Sequence, residues 1–245
     1  MTTADRWKQA VRESVRLGRL LPLGGAPDGA WIAERAVRQV LTAAAERVPG
    51  VRPDGLRIGP ADPEAAGEPA VPAPPSALPP GPLRVTADFA ATPAEPLPEA
   101  AARLRAALEA AAAELGLTVT EVDLRATDLL ESDATPAAPA EPDGPEPVER
   151  PGAEPGGGEP GRVAEVVRAV AGVARLTDTL GRPVRVTETA EEERGASLPR
   201  RHVRVELAVA AGHRPVEVAR RVRAVVADAL PDHPSVAVLV SAVDA

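Results

Sequence analysis

Cysteine and tyrosine are absent from this chain, phenylalanine and methionine occur once each, and tryptophan occurs twice. Without cysteine, disulfides, thiolate metal sites and thiol nucleophiles are excluded together, which fits a reducing compartment. With so few aromatics, a core has to be assembled from Val, Leu, Ile and Ala. These bury less area per residue, so small units of modest stability are expected. Lys8 is the only lysine; the bias to arginine, with the wealth of Ala, Gly and Pro, fits a GC-rich coding sequence better than selection for arginine chemistry. No run of about 18 apolar residues could span a membrane and no signal-peptide core follows Met1, so a cytoplasmic location is expected. The net charge of -8 argues against a nucleic-acid binder, because affinity for phosphate rests on Lys and Arg.

What the chain does have is proline and glycine, 29 and 20 of them. They concentrate in two blocks, 59–82 and 134–161, where almost no side chain could serve a core. The rest divides into four parts: residues 1–29, a basic amphipathic helix and loop; 30–131, a first module carrying a Pro-rich loop at 60–82; 132–161, a disordered linker; and 162–245, a second module.

Hydrophobic spacing fills in the elements. Trp7, Val11, Val15 and Leu20 predict a short amphipathic helix over 5–21, with Arg6, Lys8, Arg12, Arg16 and Arg19 beside them. Such a helix commonly docks on its own domain; the alternative is an anionic membrane surface or a partner. Residues 22–29 read as a turn-rich loop. Ile32, Val37, Val40, Leu41, Ala44 and Val48 predict a helix over 31–48. A short strand at 56–58, a strand at 83–89, a helix from Leu97 to Leu115 capped by Gly116, and a strand over Val122 to Ala126, with either a bulge or the strand entry between it and the out-of-phase Val119, follow. The second module repeats the theme. A helix over 163–170 precedes a short strand at 184–186, and Glu191 to Gly195 make a solvated hairpin loop. A strand over 203–209, a helix opened by Pro215 and stopped by Pro231, and a strand over 236–243 that is apolar on both faces complete it.

The two modules thus run in one order: helix, Gly-Val, short strand, polar loop, strand, helix, strand. Pro49-Gly50-Val51 answers Ala171-Gly172-Val173, Leu83 to Phe89 answers Val203 to Val209, and Val122-Asp123-Leu124 with Asp128 answers Val238-Leu239-Val240 with Asp244. The expected fold is α+β, two similar α-β-β-α-β modules, each a three-stranded mixed sheet with helices packed on it.

An Ile-Ala-initiated helix (Ile32, Ala33, Val37) closing in Val48-Pro49-Gly50-Val51, then a strand at 83–89, a Leu97-Pro98 helix and Val122-Asp123-Leu124, resembles the alkaline shock protein family of bacterial envelope-stress-response proteins. The second copy carries Val163-Ala164, Gly172-Val173 and the strands at 203–209 and 236–243. The tandem arrangement departs from the single-domain form usual in that family. The resemblance implies a module without an active site that acts near the membrane through partners or self-association, including a membrane-anchored family partner.

The residues themselves offer little chemistry. His202, His213 and His233 fall at element ends, and the last two flank a helix of roughly sixteen residues, about 24 Å, too far apart to share an ion. Glu191 to Glu193 have no apolar wall for acid-base work, and no phosphate loop or nucleophile elbow is present. Neither an enzymatic activity, a cofactor nor a metal is expected. Arg200, Arg201 and Arg204 with Arg220, Arg221 and Arg223 read as a solvated charged face, or alternatively as a basic patch. The candidate interaction surface comprises Trp7, Arg12, Arg16, Arg201, Arg220, Leu239 and Val243, the last two expected to meet the other module or a partner. A small-molecule-sensing module with its ligand between the repeats is the alternative reading.

Overall fold

The computed structural model describes residues 18–130, 158–189 and 200–244. Chain order runs β1 (Leu20–Pro22), β2 (Ala30–Ala33), α1 (Glu34–Glu46), β3 (Val51–Pro60), β4 (Leu83–Ala91), α2 (Leu97–Leu115), β5 (Val119–Leu129), α3 (Glu159–Arg168), β6 (Val173–Leu176), β7 (Val184–Thr189), β8 (Arg200–Val209), α4 (Pro215–Ala229) and β9 (Ser235–Val243). The fold is mixed α+β, with four α-helices among the described residues and two mixed sheets.

The smaller sheet has the order β3-β4-β5, with β3 antiparallel to β4 and β5 parallel to it. A parallel pair needs a long crossover, and α2 supplies it. Pro98 opens α2 and Gly116 (φ 91°) closes it by donating its N–H to the Ala112 and Ala113 carbonyls. A Cβ at Gly116 would lie 2.4 Å from the Val216 side chain, so glycine serves both the left-handed turn and the close approach of α4. Of the two alternatives at Val119 the bulge is present: Val119 pairs with Leu83 and Glu121 with Arg84, which leaves Thr120 over.

The larger sheet runs β1-β2-β9-β8, with β6 and β7 pairing with the two ends of the same β8 edge. Again β8 and β9 are parallel and joined by a helix, α4. This sheet has six strands rather than the expected three, because residues 18–33 add two and β6 a third. Leu20 and Leu21 belong to β1 and not to the last turn of a helix. Trp31, Ile32 and Ala33 belong to β2, and the helix expected from residue 31 begins at Glu34. The periodicity of Ile32 with Val37 suits a helix equally well, but the open edge of β9 decides the outcome. Parallel pairing of Ala30, Trp31 and Ile32 with Val238, Leu239 and Val240 buries Trp31 and Ile32 almost completely. A sheet of the second half therefore contains residues from both sides of the boundary drawn at residue 30.

The Pro-rich segment after β3 also departs from expectation. Val71 is buried, and Ala77 and Leu78 pack against the core. Leu20 donates to the Ser76 carbonyl and Leu78 to the Leu20 carbonyl, while the Trp31 indole N–H reaches the Leu78 carbonyl at 3.1 Å. The segment thereby covers the outer edge of β1, satisfying backbone groups that a bare edge would expose.

Buried residues of both halves form one continuous core, from Leu20 and Trp31 through Phe89 and Leu104 to Val205, Val222 and Leu239. β6 carries little sequence signal, since Val173 and Leu176 are its only large apolar residues, and its place follows from pairing with β8. The hairpin loop expected at 191–195 and the linker expected at 132–161, as far as residue 157, lie outside the described residues; the last linker residues are instead helical, since α3 begins at Glu159.

Candidate interaction surface

The two sheets bury their faces differently. In the larger sheet, Val203, Val205 and Leu207 on β8 face one way and are fully buried. The opposite face carries Arg204 and Glu206, and with them Leu239 and Trp31, which are also buried. Residues 177–180 close over part of that face. Glu206, with no exposed surface, accepts hydrogen bonds from Thr177 Oγ1 (3.0 Å), the Thr179 N–H (2.7 Å) and the Leu180 N–H (2.9 Å). Three donors around one carboxylate compensate much of its desolvation. Arg204 donates to the Leu180 carbonyl at 3.2 Å, and its Nε has no partner among the described residues. Burial lowers the pKa of Arg204, Glu206 opposes the shift, and Arg185 adds to it.

In the smaller sheet, Leu83, Val85, Ala87 and Phe89 on β4 are buried under the helices. The other face remains in solvent. Its rows of charge are laid out by register: Arg84 opposite Glu121, Thr86 opposite Asp123, and Asp88 opposite Arg125. Arg125 and Asp88 form a bidentate pair at 2.8 and 2.9 Å, Arg84 contacts Glu121, and Arg84 Nε lies 3.5 Å from Asp123. The Arg125 hydrogen bond holds the Asp88 carboxyl below its ordinary pKa. Pairs this exposed contribute little to stability. They do pattern a solvated face with alternating sign.

The sheet's two edges differ as well. β3 contains Pro53, Gly55, Gly59 and Pro60 and loses register between Asp54 and Arg57. β5 runs eleven residues without proline or glycine, and Leu129 near its end is 58% exposed. Proline, glycine and irregularity discourage strand addition at β3. β5 lacks them between Glu121 and Ala126, where its register with β4 is regular.

The residues expected to form an interaction surface are not brought together. Trp7, Arg12 and Arg16 lie outside the described residues. Leu239 is fully buried opposite Trp31, so it contacts the first half and is closed to any external partner; Val243 is half-buried. Arg201 bridges Glu159 and Asp232, the latter at 3.0 Å. Arg220 grips Asp28 through two bonds of 2.8 and 3.1 Å, and Arg223 donates to the Val236 carbonyl at 2.9 Å. The hydrogen bond from Arg220 holds Asp28 below its ordinary pKa against the opposing effect of partial burial. These arginines clamp the β1–β2 turn and α3 onto their neighbours, so their charge is paired with carboxylates and carbonyls even where, as at Arg220, the side chain is half exposed. Sequence reasoning missed their acidic partners. Asp28 reads as a turn residue before Gly29, and Glu206 as one more polar residue in an alternating strand.

Glu34 forms a further clamp. Burial pushes its pKa up, but the Arg19 hydrogen bond with the charges of Arg19 and Arg38 leaves it lowered. Arg19 Nε lies 3.0 Å and Arg38 Nη2 2.8 Å from the carboxylate.

A shallow cavity of about 380 Å³ opens between Pro160 at the start of α3 and the Leu180–Val186 stretch. Its walls belong wholly to the second half, not to the junction of the halves. Among the described residues no three His, Cys, Asp or Glu side chains cluster as metal ligands, and no helix is long and apolar enough to cross a membrane. No protein-family model matches the chain, and no similar curated protein or solved structure was found.

Proposed function

We propose that this chain is a non-enzymatic interaction protein of the envelope-stress type, made of two divergent copies of one α-β-β-α-β unit and acting from the cytoplasm near the membrane. The tandem reading is supported by fine geometry. Gly50 and Gly172 both adopt positive φ (73° and 95°) between a helix and an edge strand. Their carbonyls accept from Thr92 and Ala210, each the residue just after a central strand. The Ala91 and Val209 carbonyls in turn accept from Leu130 and Asp244. Bulges fall between Phe89 and Ala90 in one sheet and between Leu207 and Ala208 in the other. Such matching irregularities are improbable products of the α/β architecture alone.

The observation that carries the functional reading is the smaller sheet, whose charged face and, among the described residues, long β5 edge stand open, whereas Arg201, Arg220 and Glu206 hold elements of the larger sheet together. A surface of this kind suits protein partners, including a membrane-anchored one, and the basic residues of 5–17 would add attraction to an anionic membrane. The test is fractionation of cells expressing the full chain or a chain lacking residues 5–17. The deletion stops short of Leu20 and Leu21 because both are core residues. A membrane-associated fraction that falls on deletion is expected; an entirely soluble protein, indifferent to the deletion, contradicts the reading.

A further inference from the structure

We propose that β5 is the docking edge for a second copy of this chain, pairing antiparallel about Leu124 so that two three-stranded sheets join into one of six strands. The inference deepens the reading of the protein as an interaction module by naming its partner and register. Three observations carry it. Among the described residues β5 is the longest edge strand, and none of them gives it the cover that residues 76–78 give to β1; it also lacks the prolines and glycines of β3. β6 and β7, at the far edge, have only four and six residues.

The charge order of β5 is self-complementary, without any like-charge pair, in the antiparallel register centred on Leu124. Glu121, Asp123 and Arg125 share the solvated face, where Asp123 is 65% and Arg125 75% exposed. Centring the two-fold on Leu124 places Asp123 of each copy opposite Arg125 of the other, twice. Moving the centre to Asp123 brings Glu121 opposite Arg125 twice but sets Asp123 against its own copy, and moving it to Arg125 sets Arg125 against its own copy and leaves no opposite-charge pair. Opposite charges across a strand pair attract and like charges repel, so the pattern selects the register. The new contacts extend rows already formed, because Arg125 is held by Asp88 and Asp123 lies beside Arg84. Across the joined sheet the signs then alternate from Asp88 to Arg125, to Asp123 of the second copy, to its Arg84.

The remaining pairings fit. Val122 meets Ala126, and Leu124 meets itself, on the face toward the helices. The Val122 carbonyl currently takes a 3.4 Å bond from Arg105 Nε, at the outer limit of a hydrogen bond, which a backbone donor can displace. A strand pair of this length buries less than most stable interfaces, so the dimer should be weak and reversible.

Sedimentation equilibrium of the full chain and two variants tests this. The wild-type average mass should rise from one chain toward two between about 1 and 200 µM. D123R puts Arg against Arg125, R125D puts Asp against Asp123, and each variant alone should stay monomeric over that range. An equimolar mixture should regain the dimer, since each variant complements the other. Circular dichroism and thermal midpoints like those of the wild type establish that both variants fold. A monomeric wild type, unchanged dimerisation in either single variant, or a mixture that stays monomeric would each overturn the proposal. A monomer that still fractionates with membranes would leave the broader reading standing, whereas a dimer that never does would remove only that reading.

Discussion

Two sheets built around the same β-α-β connection end in different states. The sheet containing β8 and β9 is filled: β1 and β2 extend it, residues 177–180 cover the face away from the helices, and Leu239 and Glu206 have no exposed surface. The sheet containing β4 and β5 is left open on the corresponding face and along β5. The contrast is sharpest at one position. Glu206 and Asp88 each stand one residue ahead of the pair that flanks a bulge, on the face away from the helices. Glu206 is enclosed by three donors, whereas Asp88 meets Arg125 in solvent. One sheet is closed into the core, and the other leaves in solvent the charged face and edge proposed above to meet a partner.

The largest effect should come from undoing the filling. Trp31→Ala removes the bigger of the side chains that β2 inserts, along with the indole bond to Leu78, and should cost roughly 3–5 kcal/mol in urea unfolding. A change in the open sheet, Leu129→Ser, should leave the midpoint unaltered. Next comes the position the sheets share. Glu206→Ala strands the Thr179 and Leu180 N–H groups in the interior and should cost about 2–4 kcal/mol. Asp88→Ala should have no measurable effect on stability. Equal costs at the two positions would erase the distinction between a filled and an open sheet.

A smaller effect depends on pH. Burial, then the charge of Arg204, pushes the His202 pKa below its ordinary value, while its bond to Ser235 opposes them. The unfolded chain therefore takes up a proton at about 6.5 that the folded chain refuses. Stability should be complete above that pH and fall as the pH drops through it, until the folded imidazole itself protonates. His202→Gln should flatten the slope between pH 7.5 and 5.5. Arg84 stands in β4 where His202 stands in β8, four residues before Asp88 as His202 is before Glu206, so the open sheet should contribute no matching slope. Below about pH 4 the lowered carboxyls of Asp28 and Glu34 act in the same direction. Their stabilisation is present above their unfolded values and is lost as pH falls through the folded ones, so the clamps on the β1–β2 turn and on α1 should release in acid.

The sequence reveals those parts of the fold whose pattern is local. The helix from Leu97 to Leu115, the strand around Val203 to Val209, the helix after Pro215 and the irregularity near Thr120 all follow from periodicity, proline placement and a glycine cap. What it hides depends on distant pairing. Trp31 and Ile32 fit a helix until β9 offers them an edge, and Leu78 looks like loop until the Trp31 indole and the Leu20 backbone need acceptors and donors. The candidate surface fares worse for the same reason. Arg201 and Arg220 look displayed because Glu159, Asp232 and Asp28, the residues that engage them, lie 31 to 192 positions away. β5, by contrast, shows its charge order plainly, and only the absence of a neighbour beyond it among the described residues required the structure.

Amide hydrogen exchange of the wild-type chain at two concentrations addresses the difference between the sheets most directly. At about 200 µM, amides between Glu121 and Ala126 should exchange more slowly than at about 2 µM, while those of β8 and β9 stay equally protected at both. Identical exchange along β5 at the two concentrations would contradict the account, because the open edge would then have no partner in a second copy.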